Sequence, residues 1–390
     1  MSKQICSRCI NDNTVPNIVF DENGVCNYCK MMDQLQEEYK TGTEEGKQMF
    51  LQIVEEIKRA GKGKQYDCVI GVSGGTDSSY MVHMAVKEWG LRPLAVHYDN
   101  TWNTGIATEN IRKILGALKV DLYTHVVDNK ESDDVFKSFL KAGVPELDSP
   151  TDLALTEVLY EAANKYGVKY ILEGHSYKTE GISPLGIMYM DGKYISDVHK
   201  RFGSVKMKTF PNMPLGAFLK WTILKKIKKI RPLWYVGYSK EQARQLLEQE
   251  YGWKYYGGHH LENRMSAFHH SVYHPQRFKI DQRYNALSAA VRSGFMDREE
   301  ALKIYAEPPY VEPELVSYFK KRMALTDAEY EAYLHAPKKF FWDYKTYKRT
   351  FERMRPLFYL LYKSHLVPKS FYMKFCFPLD IEKMKKQQAL

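Results

Sequence analysis

Short apolar runs alternate along this chain with longer segments in which apolar residues recur every three or four positions. The runs at 68–72, 94–98, 122–127 and 170–173 are dominated by β-branched, leucine and aromatic residues. Runs of this kind predict strands buried on both faces, as in a parallel sheet. A helix is predicted from Ser78 to about Trp89, after a glycine-rich turn, and another from Thr104 to Leu118. A third opens at Ser149-Pro150, a cap residue and a proline at the first helical position, and closes at Gly167. Strand–helix alternation predicts an α/β fold with a parallel sheet covered on both faces.

The flanks read differently. Residues 31–64 predict one polar linker helix whose Phe50, Ile53, Val54 and Ile57 form a single apolar stripe, ended by Gly61-Lys62-Gly63. Beyond Gly174 the pattern loosens. Met190-Asp191-Gly192-Lys193 predicts a hairpin turn. Capping boxes at Ser239/Gln242, Asp297/Glu300 and Thr326/Glu329 predict helices in a mainly helical stretch over 200–335. The expected organisation is a four-cysteine module over 1–35, an α/β domain over 36–240, a helical substrate region over 241–335 and a basic aromatic tail over 336–390.

Composition excludes a disordered or fibrous chain, since 44% of residues are apolar and 27% charged. A length of 390 residues predicts two or three domains. No uncharged apolar run approaches the ~18 residues of a membrane span, and the first residues lack a signal-peptide core. A cytoplasmic protein is expected. Charge adds a detail: of a formal net of +10, residues 335–390 hold 13 Lys/Arg against 4 Asp/Glu. A basic tail on a nearly neutral body predicts one polyanion-facing surface rather than a nucleic-acid-binding body. The tail interleaves Phe340, Phe341, Trp342, Tyr344 and Tyr347 with its cations. The readings that stand are that the aromatics pack on the body, or that the tail docks to a partner subunit or to anionic lipid at the inner membrane face, with RNA binding third.

Four of the six cysteines, Cys6, Cys9, Cys26 and Cys29, form two C-x2-C pairs. Asn23-Gly24 between them is a hairpin signal that returns the second pair beside the first. Four thiolates in tetrahedral array suit a structural Zn2+, closed to substrate. An iron–sulfur cluster is the other metal reading.

The segment Ser73-Gly74-Gly75-Thr76-Asp77-Ser78 sits between a predicted strand and a predicted helix. Gly74 and Gly75 let the backbone approach an anion, and the amides of a helix start face it. Ser73 and Ser78 add hydroxyls. Asp77 is out of place beside phosphate unless Mg2+ bridges the two. The lysine of the GxxxxGK[ST] loop is absent.

This loop resembles the SGGxDS loop of the PP-loop ATP pyrophosphatases. The resemblance implies that ATP is bound with Mg2+ at Ser73, Gly74, Gly75, Thr76, Asp77 and Ser78, with Ser73, Asp77 and Ser78 acting in catalysis. It places the nucleoside near Asp99 or Asn100, against the alternative of a plain strand cap. It brings Gly174 and His175 to the same sheet edge, with a structural role for His175 as the alternative. Arg231-Pro232-Leu233 followed by Ser239-Lys240-Glu241 also resembles a late segment of PP-loop domains.

The chain further resembles the N-acetyl sugar amidotransferases of surface-polysaccharide biosynthesis. The cysteine pairs, the loop, residues 251–264, residues 278–283, Ser293-Gly294 and Arg298-Glu299-Glu300-Ala301 carry that likeness. It implies conversion of a sugar acetamido group to an acetamidino group by adenylylation of the amide oxygen and attack of ammonia. The ammonia would come from a glutaminase with a cyclase-like companion, and the sugar would be nucleotide-linked, through UDP or CMP, with a lipid carrier as the alternative, in O-antigen, capsule or other glycan synthesis. His259, His260, Glu262 and Arg264 are the candidate sugar or phosphate contacts, against a solvated loop and helix start. His269, His270 and His274 lack an acidic or thiol partner at ligand spacing and are expected to be structural. The competing class is a tRNA-modifying PP-loop enzyme. Thiolation would need reactive cysteines, and only Cys68 and Cys376 lie outside the quartet; lysidine synthesis would need none.

Overall fold

The computed structural model describes residues 4–183, 188–258 and 261–388. Its centre is a sheet of five parallel strands, β1 (Cys68–Gly71), β2 (Pro93–Asp99), β3 (Leu122–Val126), β4 (Tyr170–Leu172) and β5 (Lys228–Ile230), ordered β3-β2-β1-β4-β5. Register is fixed by Cys68 beside Pro93, Val69 beside Ile171 and Tyr170 beside Lys228. Alternation along each strand sends side chains to opposite faces. Val69, Val96 and Ile171 enter one apolar cluster, whereas Cys68, Ile70, Ala95 and Leu172 enter the other.

Helices α1 (Asn27–Tyr39) and α2 (Glu44–Gly61) replace the single linker helix expected over 31–64. The break lies at Lys40, in the left-handed region at φ 48°, and Thr43 caps α2 by accepting from the Gly46 amide. Phe50, Val54 and Ile57 are buried against the sheet as the stripe predicts. Helix α3 (Thr76–His83) continues through a π-helical stretch to Glu88, and α4 (Gly105–Leu118) follows β2.

Helix α5 (Asn129–Ala142) was not expected. Its buried face carries Glu131, Ser132, Asp134 and Ser138, so the apolar rhythm is interrupted. Those acids are satisfied rather than solvated. Glu131 Oε2 accepts from the amides of Lys208, Thr209 and Phe210, and Asp134 from Ser204, Val205 and His199. Strand β5 was also missed, because two lysines at a sheet edge look like surface.

Helix α6 (Ser149–Lys165) has Asp148 rather than Ser149 at its N-cap, with Pro150 in the first turn. The turn expected at 190–193 is instead the start of α7 (Gly192–Phe202). Asp191 caps it through the amides of Lys193 and Tyr194, and a Cβ on Gly192 would lie 2.3 Å from the Met213 carbonyl oxygen. Asp and Gly are turn residues and N-cap residues alike; the buried Tyr194, Ile195 and Val198 decide for the helix.

All three predicted capping boxes begin helices, but only Thr326 and Glu329 form both reciprocal bonds. Residues 336–388 pack on the body. Phe351, Phe358 and Leu361 join the α5–α6 face of the core, and Phe371 meets Phe218 at 4.9 Å between ring centroids. Packing of the aromatic run on the body is seen. Among the described residues, no helix is long and apolar enough to cross a membrane.

Candidate phosphate site and cysteine centre

The cysteine centre is built almost within one segment. A turn at Asp21–Gly24, with Gly24 at φ 74°, returns the chain so that Phe20 bridges to Cys26. All four thiols are buried, and their sulfurs lie within 4.8 Å of one another. Three sulfur pairs measure 3.8, 3.8 and 3.6 Å. A tetrahedral ion with metal–sulfur bonds of ~2.3 Å sets neighbouring sulfurs about 3.8 Å apart, so the donor set fits one ion. A multi-iron cluster would hold the sulfurs farther apart. The Arg8 and Cys26 amides point at Cys6 Sγ, and Arg292 Nη2 lies 3.7 Å from Cys9 Sγ. Arg298 ties the module to the body through the carbonyls of Cys6 and Cys9.

The phosphate loop is assembled from distant segments. Gly74 adopts φ 81°, and a Cβ there would lie 2.2 Å from the Ala107 carbonyl oxygen, so α4 admits only glycine. Its carbonyl accepts from Asn110 Nδ2 and Trp253 Nε1, both at 3.2 Å. Ser73 and Ser78 hydroxyls lie 3.3 Å apart, and the Gly75 amide donates to Ser73 Oγ at 3.2 Å. Gly75 caps α3, so the first amides of α3 face the loop. Thr76 is buried, and its amide donates to Tyr256 Oη at 3.4 Å. Tyr256 and Glu262 lean over the turn: a Cβ on Gly75 would lie 3.1 Å from each.

Asp77 is engaged. Tyr238 donates its hydroxyl to it, and Lys240 Nζ lies 2.8 Å away. Burial is the largest single influence and would raise the Asp77 pKa and lower that of Lys240, but the surrounding charges and the hydrogen bonds between Asp77, Lys240 and Tyr238 together outweigh it. Asp77 is therefore held below the usual carboxylate range, and Lys240 stays charged. Glu180 stands 4.0 Å from Lys240. The sequence flagged Lys240 only within a resembling segment and gave Tyr238 and Tyr256 no role. Their signal was weak, since each is a single polar residue far from the loop.

At the end of β2, Asp99 accepts from the Thr101 amide at 2.7 Å, a strand-end cap. Asn100 Oδ1 accepts from the Trp102 amide and from Asn263 Nδ2, while its own Nδ2 is buried without an acceptor among the described residues. Residues 262–264 run beside 102–104, with Thr104 donating to the Glu262 carbonyl and Arg264 to that of Trp102. Glu262 thus reaches the loop. Arg264 points away, stacking on Tyr318 and pairing with Glu312 at 3.3 Å. His259 and His260 lie outside the described residues.

Gly174 packs on the loop, where a Cβ would lie 3.0 Å from the Asp77 carbonyl oxygen. His175 accepts from Trp234 Nε1 and contacts the Gly181 carbonyl at 3.1 Å. Burial, then the Arg231 charge, push its pKa down to about 3, so it is neutral. Arg231 Nε pairs with Glu173 at 3.0 Å. His269 and His274 both contact the Pro145 carbonyl at 2.7 Å, which is a structural role.

Comparison with known proteins adds one sequence match. Residues 262–357 match the family model described as LPS biosynthesis protein WbpG-like, C-terminal domain. No curated protein matches the chain. Among solved structures, NMN synthetase from Francisella tularensis is 13% identical, covers 73% of this chain and 95% of its own, and has a TM-score of 0.30. The NH3-dependent NAD synthetase from Campylobacter jejuni subsp. jejuni is 12% identical, covers 75% and 98%, and scores 0.31. The U34-tRNA thiolase NcsA from Methanococcus maripaludis, solved with its [4Fe-4S] cluster, is 15% identical, covers 84% and 100%, and scores 0.29. At these identities and scores the likenesses carry no activity across to this chain.

Proposed function

We propose that this protein is an ATP-dependent amidotransferase that converts a sugar acetamido group to an acetamidino group during glycan or lipopolysaccharide synthesis. The observation that carries the reading is the strand–loop–helix unit from β1 to α3, with Gly74 pinned against α4 and Lys240 and Asp77 at its lip. The WbpG-like match over 262–357 supports the glycan setting. The β,γ-phosphates of ATP would lie on the α3 amides, with Ser73 and Ser78 as hydroxyl donors. Asn100, with its spare buried amide, would meet the nucleoside.

Mg2+ would supply charge neutralisation between Asp77 and phosphate. Asp77 is paired with Lys240, so the chain's own part is an exchange: Lys240 turns to phosphate and frees the carboxylate. The amide oxygen of the sugar attacks the α-phosphorus and pyrophosphate leaves. Ammonia then adds to the amide carbon, and AMP departs carrying the former amide oxygen. Proton losses leave the amidine. Positioning and charge stabilisation suffice, with no covalent enzyme intermediate. A glutaminase with a cyclase-like companion would deliver ammonia, and the cysteine centre would hold Zn2+ as a structural ion.

The tRNA-thiolation alternative gains nothing here, since Cys68 and Cys376 are both fully buried. The test incubates the protein with Mg-ATP, ammonium chloride and UDP-linked acetamido sugars. The expected result is stoichiometric AMP, pyrophosphate and oxygen-to-imino exchange, read by mass. Pyrophosphate release driven by tRNA and not by any sugar would sink the reading.

A further inference from the structure

A cavity of about 340 Å³ opens at the C-terminal ends of β4 and β5, with His175 in its lining. It lies between α6 and residues 347–375 of the tail. Pockets that hold small ligands start at roughly this size, ~300 Å³. Of the residues described around the phosphate loop, His175 and Arg231 line it.

Its lining has two characters. Met31, Met188, Met190, Met213 and Met373 make an adaptable apolar wall, joined by phenylalanine and tyrosine rings. Aromatic faces of this kind pack against the C–H faces of a sugar ring. At the strand ends, however, the lining is cationic, with Lys229, Arg231 and Lys374. Glu173 pairs with both Lys229 and Arg231, and Arg231 Nη1 also donates to Ser370 Oγ at 2.7 Å. Lys374 forms no ion pair among the described residues. Its desolvation is opposed only from a distance by Asp152 and Glu146. Asp152 and Asp191 also line the cavity, but Asp191 accepts from the Tyr189 hydroxyl and the Tyr347 amide, so of the three lining cations Lys374 is the one without an ion pair among the described residues. A buried ammonium without a hydrogen-bonded counter-charge is costly, and an incoming anion removes that cost.

We propose that this cavity is the acceptor pocket, and that it takes an acetamido sugar bearing an anionic group, carboxylate or phosphate, which Lys374 and Arg231 engage. The inference rests on the amidotransferase reading for the fate of the ligand but not for its binding. The connection to the chemistry is short. His175 lines the cavity, and the preceding Gly174 packs on the Asp77 backbone. A sugar seated there presents its acetamido group toward the phosphate loop. The tail therefore closes a substrate pocket in addition to completing the core.

Calorimetric binding on the full chain, with the non-cleavable analogue AMPCPP present, tests this. The probes are N-acetylglucosamine, N-acetylglucosamine 1-phosphate, UDP-N-acetylglucosamine and UDP-N-acetylglucosaminuronate. The wild type is expected to bind the anionic probes at least tenfold tighter than the neutral sugar. The order between phosphate and carboxylate probes identifies which anion Lys374 meets. Lys374→Met should remove that advantage, Lys374→Arg should restore most of it, and Met213→Trp should block all probes by filling the cavity. AMPCPP affinity should stay at wild-type values in all three, and Lys374→Met, relieved of a buried charge, should melt no lower than wild type. Failure of every probe to bind wild type overturns the proposal, as does unchanged binding in both Lys374→Met and Met213→Trp. If binding behaves as expected but no amidine forms with ATP and ammonia, the amidotransferase reading falls while the pocket stands.

Discussion

The cysteine centre and the phosphate site are both built on short spaced motifs, yet they are assembled in opposite ways. The first closes within residues 6–29, and its four ligands are its whole inner set. The second begins at Ser73 but draws Asn110, Tyr238, Lys240, Trp253, Tyr256 and Glu262 from across the chain. A structural metal site needs only ligands and enclosure. A reacting site needs, in addition, groups that change partners, and under the proposed function the Asp77–Lys240–Tyr238 contact would be such a group. The difference predicts that damage to the first centre is felt as lost folding, and damage to the second as lost turnover.

The largest effect should come from removing the ion. Chelation, or Cys26→Ser, should abolish most soluble folded protein, because binding at a closed thiolate site is folding energy of order 10 kcal/mol. Metal analysis of the wild type should give one zinc per chain. A fully folded Cys26→Ser protein with no metal and normal melting would break the contrast at its stronger side.

Asp77→Asn and Lys240→Met come next. Each should reduce pyrophosphate release by about 100-fold or more, since each removes a charge that the proposed function places against Mg2+ or the phosphates. Circular dichroism should show both folded. Lys240→Met strands Asp77 as an uncompensated buried carboxylate, so it should also lose more stability than Asp77→Asn. Near-normal release by Asp77→Asn at saturating Mg-ATP would show the loop does not work as described.

A titration addresses the sheet body alone. Glu146 and Glu157 are buried, and desolvation pushes each pKa up to about 7 despite bonds from Tyr189, Tyr194 and Trp221. The folded state therefore holds their protons more tightly than the unfolded chain, where carboxyls lose them near ~4.3. Stability carried by these protons is present below that unfolded value and is lost as pH rises to about 7. Melting of the sheet body should fall over that window. Glu157→Gln should recover about 1–3 kcal/mol at pH 8 and flatten the profile. A flat wild-type profile would place the counter-charges elsewhere.

The smallest change should follow Trp253→Phe, which removes one bond to the Gly74 carbonyl and keeps most of the packing. A loss of about 1 kcal/mol in stability is expected. If turnover instead falls as far as in Asp77→Asn, the cover over the loop is part of the reacting machinery and not only its support.

Legibility followed the same divide. The strands β1, β2 and β4 could be read because continuous apolar runs have no other stable place than a two-sided sheet, whereas β3, expected to be buried on both faces, is an exposed edge strand that its β-branched and aromatic residues still marked as extended. Helix α5 could not, since Glu131 and Asp134 look solvent-facing until the amides of 204–210 arrive to bind them. The Asp191-Gly192 pair could be read as a turn because its backbone preferences suit both a hairpin and a helix start; only packing of Gly192 against Met213 separates them. Of the predicted site residues, Ser73, Gly74, Gly75, Thr76, Asp77, Ser78, Gly174 and His175 lie together at one sheet edge, and Glu262 joins them. Arg264 is turned to Glu312 on another face.

What the sequence determined by itself was whatever depends on neighbours in the chain. The cysteine spacing, the Asn-Gly turn, the strand-to-helix glycine loop and the capping residues act over a few positions, where the backbone leaves few alternatives. What only the tertiary structure decided was which distant charges meet. Lys240 against Asp77, Glu173 between Lys229 and Arg231, and the tail folded over the strand ends depend on contacts across more than a hundred residues or at a shared sheet edge. Composition gave the tail its charge and its aromatics, but burial assigned them. The rings went into the core because their area is worth more out of water. Lys374 was left lining a cavity, its charge without an ion pair among the described residues.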